Sequence, residues 1–361
     1  MINHRLSKTR SAMAELGIDA LLVSSDHNRR YLSNFTGSAG YLVITVEEAL
    51  LITDFRYVEQ AGNQSPDFRV IRMSGSNDWL APLLVEWQVK RLGFEGQHVT
   101  YAFHKRLQDL IIQSTELQTE LVPVSDIIED LRSIKDDMEL SKLTRAIEIA
   151  DSAFAEVSKQ IRVGQTELDI AWQLEKAMRE LGAESISFDT IVAFGPNAAL
   201  PHHRPSDDVI VEGQPLIIDM GARYQGYCSD LSRTICLGQP DDRFRKIYDT
   251  VLGAQLTAIA TVEVGMTGGE ADNLARTVIE QCGYGENFGH SLGHGVGLEV
   301  HERPGVGPNS SGELTNGMIF TIEPGIYVSG WGGVRIEDVV MLVGGKSKLI
   351  SDAPKQEVLG G

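Results

Sequence analysis

The chain has 361 residues, of which 42% are hydrophobic and 23% charged, so it can fold around a sizeable core and wholesale disorder is excluded. At about 150 residues per domain, this length predicts two domains. The 50 acidic side chains outnumber the 32 basic ones, for a net charge of −18, which argues against nucleic acid or an anionic membrane as the main partner.

The cysteine and hydropathy patterns favour a reducing compartment. Cys228, Cys236 and Cys282 are too few and too widely spaced for a disulfide framework or a paired-cysteine zinc site, so buried, inert thiols are expected. No apolar run approaches the roughly 18 residues of a membrane helix, and the first residues contain no signal-peptide core. We therefore expect a cytoplasmic protein with no membrane span.

The first third alternates between helix and strand patterns, which is typical of a small α/β domain. Apolar positions at helical spacing predict a helix over 4–16, ended by Gly17. The domain is expected to cover residues 1–125 and to carry little chemistry; three arginines that could touch a ligand are interpreted as solvated surface residues (Arg29, Arg30 and Arg56). The strands predicted for this domain lie at 20–23, 40–45, 50–53 and 121–124.

The second domain is expected to cover residues 126–361 and to begin with a long amphipathic helix over 138–161. The linker at 123–126 is short, so the two domains are expected to pack against each other rather than swing freely.

This second domain contains an internal repeat. Val163-Gly164-Gln165-Thr166 recurs as Val264-Gly265-Met266-Thr267, with each threonine placed to cap a helix. In both copies the helical stretch ends at a glycine, and an apolar strand that ends in an acid follows later (Gly182 and Asp219; Gly283 and Glu323). The repeat predicts a pseudo-two-fold domain with a cleft between its halves.

The acid of the first copy has a neighbour across a predicted hairpin. Asp219 ends one apolar run and Asp230 begins the next. If the chain turns at Tyr224-Gln225, the two acids face each other with Cβ atoms about 4.5–5.5 Å apart. Like charges at that distance repel unless a cation lies between them, and a divalent metal would supply it. Two solvated acids on an exposed hairpin are the alternative.

The acid of the second copy, Glu323, has a partner in Glu337 on the returning strand. Direct pairing at this spacing needs an odd-length turn or a bulge, which the glycine-rich segment 330–333 allows. The duplicated acids converging from two halves strengthen the metal interpretation.

Three histidines lie between these hairpins, in the glycine-rich segment 289–301. They are His290, His294 and His301, and the glycines around them favour close, non-helical packing. We expect at least one of the three to bind metal. Four carboxylates and an imidazole suit Mn²⁺, Co²⁺, Fe²⁺ or Zn²⁺ better than a thiolate zinc site. Such a set fits two metals about 3.5–4 Å apart, which can generate hydroxide and polarise a carbonyl, so metal-assisted hydrolysis is the predicted reaction class.

At these residues the chain resembles the pita-bread metallopeptidases, which include methionine aminopeptidase, Xaa-Pro aminopeptidase and prolidase. The likeness is strongest to bacterial Xaa-Pro peptidases with a creatinase-like N-terminal domain, and it extends over essentially the whole chain. The motifs that carry it are NRRYL at 28–32, FTGSAG at 35–40, TDFRY at 53–57, FDTIV at 188–192, ALPH at 199–202, GHGVG at 293–297, EPG at 323–325 and GVRIED at 333–338.

The resemblance implies an α/β (α+β) fold, with a small creatinase-like domain before a pita-bread catalytic domain, and two divalent ions. Mn²⁺ is the first expectation, with Co²⁺, Zn²⁺ and Fe²⁺ as alternatives. By the likeness, one metal would be bound by Asp219, Asp230 and Glu337, and the other by Asp230, His294, Glu323 and Glu337. A metal-bridging hydroxide would be the nucleophile, and Glu323 would also shuttle a proton.

Other roles also come from the likeness. His202 would contact the scissile peptide, and His301 would stabilise the tetrahedral intermediate. His290 would line the pocket for the residue after the cleaved bond, and Arg335 would lie near the C-terminal side of the substrate. His203, next to His202, has no counterpart role.

The implied substrates are small peptides with proline in second position. Because the X–Pro bond has no N–H, it needs a dedicated pocket. Whether the enzyme is a dipeptidase or an aminopeptidase stays open. The family also implies a homodimer, since a partner subunit's N-terminal domain often lines the cleft. The alternatives are a methionine-type aminopeptidase of the same fold and a non-catalytic pita-bread peptide-binding module.

Overall fold

A computed structural model describes residues 2–73, 79–114, 118–355 and 358–359. The chain divides into two compact units, Met1–Arg132 and Ser133–Gly361. This division falls later than the boundary predicted after residue 125, because the helix Ile127–Ser133 is bonded to the first unit. Arg132 Nη1 donates to Asn28 Oδ1 (2.8 Å), and Asn28 Nδ2 donates to Glu129 Oε1 (2.5 Å).

The first unit contains a mixed six-stranded sheet in which the strands that begin at residues 69, 49, 41, 20, 91 and 120 lie side by side in that order. The predicted helix and the four predicted strands are confirmed to within two residues, and Gly17 ends the first helix with a φ of +62°. The helices are α1 Ile2–Leu16, α2 Asp26–Ser33, α3 Val58–Gln64, α4 Leu80–Glu86, α5 Tyr101–Gln113 and α6 Ile127–Ser133. The strands are β1 Ala20–Val23, β2 Tyr41–Thr45, β3 Ala49–Thr53, β4 Arg69–Arg72, β5 Arg91–Glu95 and β6 Glu120–Val124.

The interpretation of Arg29 as a solvated residue is wrong. Its side chain is buried and donates to the carbonyl oxygens of Gly40 (2.8 Å) and Gly37 (2.7 Å). It therefore holds the FTGSAG segment in place. Arg56 is exposed and pairs with Asp54 (2.7 Å), as a surface arginine would.

The second unit is built from two similar halves, each with a pair of helices on a sheet. The helices are α7 Asp137–Val157, α8 Glu167–Glu180, α9 Asp242–Thr261 and α10 Gly268–Gln281. The strands of the first half are β7 Ser185–Ile186, β8 Ile191–Phe194, β9 Pro215–Met220, β10 Ala222–Tyr224, β11 Tyr227–Cys228 and β12 Leu231–Leu237. The strands after them are β13 Gly293–Gly295, β14 Glu302–Val306, β15 Ile319–Ile322, β16 Gly325–Val328, β17 Gly332–Arg335, β18 Asp338–Val343, β19 Lys346–Leu349 and β20 Val358–Leu359.

Each half has its own core. The first sheet has the order β20-β12-β9-β8 and packs with α7 and α8, and the second has the order β14-β13-β15-β18-β19 and packs with α9 and α10. The predicted helix over 138–161 ends earlier, at Val157, and continues as a 3₁₀ turn over Ser158–Gln160.

Matching local structure confirms the internal duplication. Thr166 and Thr267 both cap their helices in a capping box, with Asp169 and Glu270 as the third helical residues. The residues before and after the two helices also match in φ: Gly164 and Gly265 at +94° and +93°, Gly182 and Gly283 at +108° and +86°.

The first hairpin differs from the predicted register. Gln225 and Gly226 both have positive φ, +47° and +85°, and form the two-residue turn, one position later than predicted. Asp219 therefore lies opposite Ser232, and the predicted direct pairing of Asp219 with Asp230 is wrong.

The second hairpin has an odd-length turn, which is one of the two solutions that the spacing allowed. Ile322 pairs with Asp338 and Gly325 with Arg335, so the shared register places Glu323 opposite Glu337. The turn consists of the three residues between β16 and β17.

Two of the three cysteines are buried as expected. Burial raises the pKa of the Cys228 thiol to about 11, which makes it inert at neutral pH. Cys282 is exposed at the C-terminal end of α10, contrary to expectation. Within the described ranges, no helix combines the length and the apolar character needed to cross a membrane.

Candidate metal centre and active site

A cleft of about 610 Å³ lies in the second unit, between its two halves. Each of the nine side chains predicted for the site lines it: His202, Asp219, Asp230, His290, His294, His301, Glu323, Arg335 and Glu337. The duplication explains this meeting. In one half, Asp219 lies in β9 and Asp230 immediately precedes β12. In the other half, Glu323 immediately follows β15 and Glu337 lies between β17 and β18.

Three of these side chains form a compact group. Asp230, His294 and Glu337 each offer a ligand atom, and these atoms all lie within 4.8 Å of one another. His294 Nε2 is 3.6 Å from Asp230 Oδ2 and 3.2 Å from Glu323 Oε1. Asp219 adjoins the group through Arg335, whose Nη2 lies 2.6 Å from Asp219 Oδ2.

The electrostatics of this group favour a cation. Burial raises the pKa of Asp230 well above its usual range, and the neighbouring Glu337 and Asp219 raise it further. Burial likewise raises the pKa of Glu337, with Glu323 and Asp219 adding to the effect. These acids resist ionisation because they are buried and because their negative charges would repel one another. A divalent ion between them would offset both costs.

Glu323 is the acid whose pKa is lowered. Burial alone would raise it, but the hydrogen bond with His294 and the charge of that imidazole outweigh burial. In His294, burial works against the charged ring, and the contact with Glu323 outweighs it and raises the pKa.

Two buried carboxylate oxygens of the site have no hydrogen-bond donor from the residues that the structure describes. Among the described residues, no hydrogen-bond partner reaches Asp219 Oδ1 or Glu337 Oε1. A buried polar atom without a partner is rare in a folded protein. Carboxylate oxygens without a hydrogen-bond partner, together with an imidazole, are the ligand atoms expected for a divalent metal. The residues present therefore fit such ions.

Arg335 and Ser232 connect the acids in a buried network. Arg335 Nε donates to Ser232 Oγ, and Ser232 Oγ donates to Glu337 Oε2, both at 2.8 Å. Arg335 Nη1 also donates to Tyr327 OH (2.9 Å), which lies 3.0 Å from His290 Nε2. Arg335 is thus enclosed by site residues and only 3% exposed.

The sequence interpretation did not include Ser232, Thr321 or Tyr327. Thr321 Oγ1 donates to Glu323 Oε1 (3.1 Å) and accepts from the His294 backbone N–H (3.1 Å). These three residues lie within a few positions of predicted acids in the sequence. That is only a weak sign of a role in the site, because each contact depends on the register of a hairpin.

The other histidines occupy distinct positions. The His301 ring lies against the His294 ring, with centroids 4.2 Å apart. Burial and the nearby His294 lower the pKa of His301, which favours its neutral form. His202 is exposed at the wall of the cleft. His203, for which the sequence offered no role, is bonded through Nε2 to Glu167 Oε2 (2.8 Å).

The comparisons with known proteins agree with this geometry. Residues 141–343 match the model of metallopeptidase family M24, and residues 5–134 match the creatinase/prolidase N-terminal domain. An uncharacterised peptidase of Bacillus subtilis is 44% identical over 98% of this chain and 99% of its own length.

Two solved structures match over nearly their whole length. The Xaa-Pro dipeptidase from Bacillus anthracis is 43% identical, with a TM-score of 0.95 over 99% of this chain and 100% of its own. The X-Pro aminopeptidase from Thermotoga maritima is 38% identical, with a TM-score of 0.87 over 96% of this chain and 100% of its own.

The pita-bread fold and the acid-rich cleft define a hydrolytic peptidase of the metal-dependent class. The chain belongs to metallopeptidase family M24 and carries a creatinase/prolidase N-terminal domain.

Proposed function

We propose that the protein hydrolyses the bond between an N-terminal residue and proline, with two divalent ions held by Asp219, Asp230, His294, Glu323 and Glu337. The observation that carries this proposal is the buried acid cluster, in which two carboxylate oxygens have no hydrogen-bond partner within the part of the chain that the structure describes. The names of the similar dipeptidase and aminopeptidase support the proline specificity. Manganese as the native ion, a homodimer and a cytoplasmic location stay predictions.

Bound ions would lower the pKa of a water molecule and polarise the scissile carbonyl. The protein's own part begins with Glu323. Because Thr321 and His294 both contact its Oε1, Oε2 is the oxygen we assign to take a proton from the attacking water molecule and deliver it to the proline nitrogen. That nitrogen must gain a proton as its bond to the carbonyl carbon breaks, because an amide anion is too poor a leaving group.

His202 and His301 supply imidazoles on the cleft side of the acids. A neutral His301 would donate a hydrogen bond to the oxygen on which charge develops, and His202 would hold the scissile peptide. Apolar side chains along the same cleft offer surface for the pyrrolidine ring without demanding an N–H donor (Phe188, Ile191, Val300 and Val306).

The test is release of the N-terminal residue from Ala-Pro, Ala-Pro-Ala and Met-Ala-Ser, with and without Mn²⁺. We expect Mn²⁺-dependent cleavage of at least one proline peptide and its loss in Asp230→Ala, which should keep the fold. Cleavage of Met-Ala-Ser alone would identify a methionine-type aminopeptidase. Tight metal binding with no cleavage of any peptide would contradict the proposal.

A further inference from the structure

We propose that Arg204 binds the C-terminal carboxylate of a two-residue substrate and thereby makes the enzyme prefer Xaa-Pro dipeptides. This inference rests on the proposed function and names the substrate class that the sequence left open.

Two arginines line the cleft, Arg204 and Arg335. The Arg335 guanidinium is fully engaged, since it contacts Asp219, Ser232 and Tyr327 and is almost completely buried. Arg204 is exposed, and no hydrogen bond or ion pair joins its guanidinium to any part of the chain that the structure describes. Arg204 is therefore the arginine of this cleft whose guanidinium is free to bind a ligand.

The lining histidines are poorer candidates for a carboxylate. His294 and His290 are tied to Glu323 and Tyr327, and His203 is tied to Glu167. The other two lining histidines, His202 and His301, are those assigned above to the scissile peptide and to the oxygen on which charge develops. A neutral imidazole offers a single N–H, whereas an arginine is always charged and presents two parallel donors that match both carboxylate oxygens.

The charge of the cleft favours such a residue. Five carboxylates line it (Asp189, Asp219, Asp230, Glu323 and Glu337), two divalent ions would balance only four of them, and the whole chain has a net charge of −18. A dipeptide brings its own carboxylate to within one residue of the scissile bond, and that charge is repelled unless a cation receives it. A longer peptide has a neutral amide at the same place and gains nothing from the cation.

The loop that carries Arg204 is held rigidly. On one side of Arg204, His203 is bonded to Glu167, a carboxylate with no solvent exposure. On the other side, Ser206 donates to the same Glu167 oxygen from both its N–H and its hydroxyl (2.8 Å each). The backbone at Arg204 is thus held from both sides, so only the arginine side chain itself has to be ordered when it binds a ligand.

The experiment compares Ala-Pro with its amide, Ala-Pro-NH₂, which differs only in lacking the carboxylate. In the Mn²⁺-loaded protein we expect kcat/KM to be about 10- to 100-fold higher for Ala-Pro, the usual effect of a hydrogen-bonded charge pair. Arg204→Gln should bring that ratio close to one, mainly by raising KM for Ala-Pro. Arg204→Lys should retain part of the ratio, because it keeps the charge but loses the paired donors.

Arg145→Gln is the matched control, since Arg145 is an exposed arginine on α7 outside the cleft, and it should keep the wild-type ratio. A ratio near one in the wild type, or an unchanged ratio in Arg204→Gln, would overturn the proposal. If no peptide is cleaved, the proposed function fails, and equilibrium binding of N-acetyl-L-proline and its amide then decides the role of Arg204. A preference for the carboxylate that Arg204→Gln abolishes would support that role, and equal binding would overturn it.

Discussion

The hydroxyl group of Ser232 connects Glu337 to Arg335, so Ser232→Ala tests whether this contact positions the acid. The hydroxyl is fully buried, donates to Glu337 Oε2 and accepts from Arg335 Nε, both at 2.8 Å. Alanine removes both bonds. It also leaves Glu337 without a donor on either oxygen, since within the described residues Oε1 already has none.

The size of the effect follows from these contacts. A hydrogen bond to a charged group contributes about 1.5–3 kcal/mol, and two bonds that share one atom are not additive, so we expect a loss of about 2–4 kcal/mol in the free energy of unfolding. In a unit of this size that lowers the melting temperature by about 5–15 °C. Loss of a contact that orients a metal ligand should weaken metal binding by about 10–100-fold.

Calorimetry measures both quantities, as Mn²⁺ affinity by titration and as melting temperature in the metal-free protein. Ser232→Thr keeps the hydroxyl, so its Mn²⁺ affinity should stay close to that of the wild type. If Ser232→Ala binds Mn²⁺ as tightly and melts at the same temperature as the wild type, the hydroxyl does not position Glu337 and this reasoning is refuted.

Three further predictions concern other parts of the second unit. Burial raises the pKa of Asp151 to about 6, so ionisation of this carboxyl lowers the stability of the folded protein as the pH rises from about 4 to 6. Asp151→Asn should therefore increase the free energy of unfolding at pH 7.5 by about 2–3 kcal/mol. A thermal melt that shows the same gain at pH 4 would contradict this. His202→Ala should lower kcat by about 10²–10⁴; unchanged kcat at saturating Ala-Pro would remove His202 from the mechanism. A Cβ on Gly293 would overlap the Thr321 carbonyl, so Gly293→Ala should lose about 1–3 kcal/mol in thermal melts. Gly253→Ala, at an open helical position, should be neutral or stabilising, and equal losses in the two variants would show that the overlap is not the cause.

Local patterns in the sequence predicted much of the second unit. The capping threonines Thr166 and Thr267 depend only on residues within one helical turn, and they appear as predicted. The acids at the strand ends could also be predicted, because the duplication places them at equivalent positions in the two halves. Once the halves fold alike, Asp219 and Glu323 must approach the same cleft.

What the sequence did not predict depends on turn geometry and long-range packing. The first hairpin turns one position later than expected because Gln225 takes a positive φ, which glutamine does not signal. That shift places Ser232, rather than Asp230, opposite Asp219. The bonds of Arg335 to Ser232 and Asp219 join residues more than 100 positions apart, so no local pattern reveals them.

The burial of Arg29 was missed for the same reason. Its partners are backbone carbonyl oxygens of Gly37 and Gly40, and backbone acceptors leave no trace in residue type. An arginine read from sequence alone is expected at the surface.

The most direct test of the account is the metal content of the wild type and of Asp230→Ala after dialysis against Mn²⁺, measured by plasma mass spectrometry beside Ala-Pro hydrolysis. Asp230 belongs to the compact group with His294 and Glu337, so its loss should disturb both metal positions. We expect about two ions per wild-type chain, and we expect Asp230→Ala to lose most of this metal and, with it, the hydrolysis of Ala-Pro. A wild type that holds no stoichiometric metal, or an Asp230→Ala variant that keeps both ions and its activity, would contradict it.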